Sequence, residues 1–109
     1  MADYQLTWNA SPSSNVTAYA VTFLYNGTSQ TPVIVQRSTA NDASGYSLLL
    51  SAAIPSITLN PGDTIGDTLQ ADDVPDSLLS VGVVSPPLTV PTPPPVAPAD
   101  PTNVVAGLV

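Results

Sequence analysis

Apolar and polar residues alternate with a period of two over most of residues 1–90, the spacing of strands that turn one face inward. Tyr4, Leu6 and Trp8 alternate with Gln5, Thr7 and Asn9. After a turn-rich stretch at 9–15, a second run over 16–25 sets Tyr19, Val21, Phe23 and Tyr25 on one face. Asn26-Gly27 follows, a strong signal for a two-residue hairpin. Residues 31–36 return along it, with Pro32 suited to a strand start or an edge because it has no N–H to donate. Asn41 to Gly45 reads as a turn, 46–52 and 54–59 as strands, and Asn60-Pro61-Gly62-Asp63 as another turn. Residues 64–71 and 78–84 are the last two strands, and 88–90 offers an extension. No segment reads as a helix: Glu and Lys are missing and β-branched residues are frequent. About seven short strands at this spacing predict an all-β, antiparallel β-sandwich.

The pattern stops where proline takes over. Eight of the 13 prolines fall between 86 and 101: Pro86, Pro87, Pro91, Pro93, Pro94, Pro95, Pro98 and Pro101. Each removes a donor and fixes φ, so the stretch is expected to be extended polyproline II, a semi-rigid spacer of about 3.1 Å per residue. Residues 102–109 then read as a short strand-like piece. The expected division is a body over 1–90 and an arm over 91–109.

Composition narrows the function classes. The chain has no His, Cys, Lys or Glu, and Arg37 is its one basic residue against eight aspartates, for a net charge of −7. One Arg cannot neutralise several phosphates, so nucleic acid is not an expected partner, and neither is anionic lipid. Without cysteine there are no disulfides and no thiolate metal sites. General acid–base work needs a His or a placed carboxylate of raised pKa, and the aspartates scatter over turns, so no enzymatic activity and no cofactor are expected. The longest unbroken apolar run, Ala18 to Val21, is far short of a membrane span. Met1-Ala2-Asp3-Tyr4 has neither the basic nor the apolar region of a signal peptide.

Three stretches resemble a fibronectin type III domain. Leu6-Thr7-Trp8-Asn9-Ala10-Ser11-Pro12 is similar to that family's second strand, and Val16-Thr17-Ala18-Tyr19-Ala20-Val21 to its third. Leu59-Asn60-Pro61-Gly62-Asp63-Thr64-Ile65 through Leu69-Gln70-Ala71-Asp72-Asp73 resembles its proline-glycine turn and the strand after it. The resemblance covers roughly residues 4–90 and implies a fibronectin type III or immunoglobulin-like sandwich. The family's corner tyrosine is replaced by Ile65, so its hydrogen bond must be absent or replaced. Asp67 falls on the inward register with Ile65, Leu69 and Ala71, where a lone carboxylate is costly; a sheet edge or a bulge at Gly66 would relieve it. The family's first strand has no counterpart before Tyr4, while Pro101-Thr102-Asn103-Val104-Val105-Ala106 resembles it. That piece either folds back as a permuted first strand, adds to a neighbouring subunit, or begins another domain.

Such domains are frequent among bacteriophage virion proteins, so the resemblance implies a non-enzymatic structural role: a capsid decoration or head or tail accessory protein, made in a host cytoplasm, present in repeated copies and bound to other assembly proteins. A surface or secreted adhesion or carbohydrate-binding repeat is the alternative, and a domain appended to an enzyme a third. The candidate partner-binding residues are Pro93, Pro94, Pro95 and Val96 in the arm and Val104, Val105 and Leu108 beyond it. Asp72, Asp73 and Asp76 form the densest acidic group, which reads as a solvated turn and otherwise as a weak calcium site. Trp8, Tyr19 and Phe23 are expected in the core and not on a sugar-binding face. Asn9, Asn15 and Asn26 open glycosylation-like triplets that read as chance in a chain this rich in Asn, Ser and Thr.

Overall fold

The computed structural model describes residues 2–92 and 97–108. It is mostly strand and entirely antiparallel. β1 (Gln5–Trp8) pairs with β5 (Tyr46–Leu49) as a two-stranded sheet. The larger sheet centres on β2 (Ala18–Tyr25) and β6 (Thr64–Asp73), paired along their length from Ala18↔Asp72 to Tyr25↔Ile65. On one side β2 carries β3 (Thr28–Ser29) and β4 (Val33–Gln36). On the other side β6 carries β7 (Leu78–Leu79) and β8 (Val83–Thr89). This sheet curls into a half-barrel.

The period-two pattern predicts the buried faces correctly. Tyr4, Tyr19, Val21 and Phe23 are buried, and Leu6 and Trp8 half-buried. Side chains of both sheets meet in one core cluster around Phe23, Leu50, Ile65 and Val90, and in a second around Val16, Tyr19 and Tyr46. The hairpin forms as expected, with Asn26 at φ 51° and Gly27 at φ 81°, the left-handed conformations a tight two-residue turn demands. β4 begins at Val33, immediately after Pro32.

Four expectations are corrected. Residues 39–44 are not a plain turn but a short helix, α1 (Thr39–Ser44), nucleated by Ser38, whose hydroxyl accepts from Asn41 N, and ended by Gly45 at φ 98°. The strand expected over 46–52 stops at Leu49 because Leu50 turns into the core and starts a helical turn, α2 (Leu50–Ala53). Residues 54–59 are not a strand: Pro55 supplies no N–H, Ile57 bonds back to Ile54, and Leu59 makes a lone bridge to Ala2. The run expected over 78–84 is broken by Gly82 at φ 103°, which separates β7 from β8.

Val90 donates to Asp63 O and accepts from Gly62 N. Among the described residues these are the last hydrogen bonds that tie the chain to the body. Residues 97–108 form no strand and are exposed throughout.

Candidate interaction site

Several polar groups hold the loops of the body together. Arg37 bonds Asp42 through Nε at 3.1 Å, Ser13 O through Nη1 at 2.8 Å and Ser11 O through Nη2 at 3.1 Å, clamping the 9–17 loop to α1. The single cation is therefore engaged. Tyr46 donates to Asp42, and that bond, with Arg37 behind it, holds the Asp42 carboxyl below its usual range. Trp8 stacks on Tyr46 at 5.4 Å with the planes 9° apart, and Tyr19 packs against both rings. These rings face one another, with Tyr19 and Tyr46 buried and Trp8 half-buried.

Asp67 is buried on a central strand, so neither a sheet edge nor a register shift takes it out. A bulge does sit there: Ile65 pairs with Leu88 but Asp67 with Ser85, so Gly66 faces Pro86 and Pro87 together. A Cβ on Gly66 would lie 3.1 Å from Ser85 O and 3.3 Å from Pro87 Cα. Asp67 still points inward, where one oxygen accepts from the Tyr4 hydroxyl at 2.5 Å and the other has no partner among the described residues. Burial, then the Asp67 contact, pushes Tyr4 up to about 12.

Tyr25, paired with Ile65 across the ladder, places its hydroxyl 3.0 Å from Asp63 Oδ2 and 3.4 Å from Thr58 O. Asp63 also accepts from Asn60 N at 2.8 Å and from the Asn26 side chain, which together hold it below its usual range.

In the acidic turn, Asp73 is buried and accepts from Asn15 Nδ2 at 3.1 Å, while the adjacent Asp73 raises Asp76. Among the described residues no three carboxylates converge as a metal site would require. Asn26 is fixed in its turn, accepting from Thr64 N at 2.8 Å. A cleft of about 370 Å³ is lined by Thr7, Asn9, Ser44, Gly45 and Ser47 together with the aromatic residues Trp8 and Tyr46.

Large apolar side chains are also exposed. Leu78, Leu79, Val83, Val84 and Leu88 line the β7–β8 edge at 55–69% exposure. Val104 and Val105 are 79% and 88% exposed and Leu108 is fully so. Pro93, Pro94, Pro95 and Val96 lie outside the described residues. The β7–β8 row was not anticipated as a partner surface; the apolar pattern of 83–88 was visible, but which face the second sheet would leave uncovered was not. No family model, curated protein or solved structure matches the chain. No helix among the described residues is long and apolar enough to cross a membrane.

Proposed function

We propose that this protein is a non-enzymatic structural component of a larger assembly, a virion protein that docks on neighbouring subunits through its β7–β8 edge and the segment beyond its arm. In this reading the two sheets form a sandwich of fibronectin type III or immunoglobulin-like type. The observation that carries it is the set of large apolar side chains left open to water on β7 and β8 and at the end of the chain: Leu78, Leu79, Val83, Val84 and Leu88, then Val104, Val105 and Leu108. Contiguous exposed apolar surface on a small domain marks a protein contact. Tyr19 and Tyr46 are buried and Trp8 is stacked on Tyr46, so these rings do not form an open sugar-binding platform.

The test is co-sedimentation. The chain is co-expressed with the products of the genes flanking its own, and assembled particles are pelleted. The chain is expected in the particle fraction, and a chain shortened to 1–90 is expected there at a reduced level. A full-length chain found wholly in the supernatant would contradict the proposal.

A further inference from the structure

The two sheets differ in width, and the mismatch leaves a defined vacancy. β5 lies toward β2 and β4: Tyr46 packs on Tyr19 at 4.8 Å and its hydroxyl accepts from Ser38 N. β1 starts beside β6, where Tyr4, the residue before it, bonds Asp67, and ends with Trp8 packed on Tyr19 of β2. β8 is left bare. Val83 and Leu88 pair with Leu69 and Ile65 and so share their core-side register, yet they are 69% and 61% exposed. A cavity of about 140 Å³ opens beside Leu88, between Tyr4, Leu59, Ile65 and Val90. The free edge of β1 borders the same side. Leu50 N donates to Tyr4 O, so antiparallel alternation turns the backbone of Tyr4, Leu6 and Trp8 toward β5 and that of Gln5 and Thr7 outward. One extended segment along β1 would pair those outward groups and roof Val83 and Leu88.

We propose, building on the structural role above, that Val104 to Leu108 of a second copy of this chain is that segment. In an extended conformation Val104, Ala106 and Leu108 fall on one face, an apolar row matched to the bare side of β8. These residues are exposed in the isolated chain. They also carry no charge, in a protein of net charge −7 whose copies otherwise repel. The described residues favour a second copy over the same one: residues 97–108 form no strand and are exposed, no described residue beyond Val90 bonds back to the body, and β1 pairs only with β5, so the chain leaves its own β1 edge open. Strand addition of this kind converts a free edge into a paired one.

The test uses the full chain, which has no native cysteine. Thr7→Cys and Val105→Cys proteins are mixed under oxidising conditions, with Gln36→Cys on β4 replacing Thr7→Cys as the off-site control, and self-association is followed by sedimentation velocity across concentrations. The expected results are concentration-dependent association, weakened about tenfold or more by Leu108→Asp (about 1.4 kcal/mol per tenfold), and a mixed Thr7–Val105 disulfide that forms faster than the control. A chain monomeric at every concentration, association unmoved by Leu108→Asp, or a Thr7→Cys/Val105→Cys double variant that closes its disulfide within one chain would each overturn the inference. A monomeric chain that still pellets with particles would overturn it while leaving the structural role standing.

Discussion

Asp67 is buried with one of its two carboxyl oxygens unpartnered among the described residues. Its inward register is legible in the sequence, because the alternation that buries Ile65 and Leu69 must bury it too. Its partner is not, since Tyr4 lies 63 positions away and only the pairing of sheets brings them together. Tyr4→Phe removes the bond and leaves a buried carboxylate without a partner, so it should cost about 2–3 kcal/mol. Asp67→Asn keeps an acceptor for the Tyr4 hydroxyl and should cost less. Urea denaturation of both variants and their combination gives the coupling. The same groups set the pH limits. Tyr4, pushed up to about 12, favours its neutral form in the fold, so its contribution is complete below pH 10 and is lost as pH rises through about 12. Tyr25 and Tyr46 are raised as well, each with an aspartate as hydrogen-bond partner. On the acid side, Asp3, Asp42 and Asp63 are held below their ordinary value of 3.8, so their contribution is present above it and lost as pH falls further. Melting temperature against pH should therefore show a plateau from about pH 4 to about pH 10. Asp76 runs the other way, raised by Asp73, and Asp76→Asn should leave the melting temperature at neutral pH unchanged or higher.

Among the elements, the strands were legible where one face is buried, and the misreadings cluster where local capping or backbone chemistry competes with alternation. The hairpin at Asn26-Gly27 and the strand start after Pro32 follow from conformations that few other residues adopt. α1 was missed because its signal is a cap, Ser38 to Asn41, on a helix of only six residues. α2 was missed because Leu50 is apolar either way, and burial alone does not separate a strand end from a helical turn. Gly66 was singled out for a bulge, and the bulge is there, but its cause is the backbone of Pro86 and Pro87 lying close across the ladder. Gly66→Ala would press a methyl against Ser85 O and Pro87 Cα and should cost about 1–3 kcal/mol in thermal or urea unfolding. Arg37 organises the 9–17 loop from outside the sheets. Arg37→Met should leave the strands in place and open the loop, seen as faster amide exchange of Ser11, which donates to the Tyr19 hydroxyl, and as new proteolysis near Ser13.

For the whole molecule, composition and topology point the same way. A chain with eight carboxylates and one engaged cation has little to offer a phosphate, and its interior spends the remaining polar groups on loops and corners. The larger sheet has six strands and the smaller two, and the β7–β8 side of the larger sheet carries exposed apolar side chains. That exposure could not be read from the sequence, because it depends on how many strands each sheet contains and which edge stays open. The central claim is that residues 2–90 fold as a complete body and that the chain beyond Val90 makes its contacts on other molecules. The most direct measurement is thermal unfolding of a chain ending at Val90 beside the full chain, both at concentrations low enough to be monomeric. Equal unfolding midpoints are expected, since the last bonds into the body are those of Val90. A midpoint several degrees lower for the shortened chain would show that residues 91–109 complete their own body, and would contradict the account.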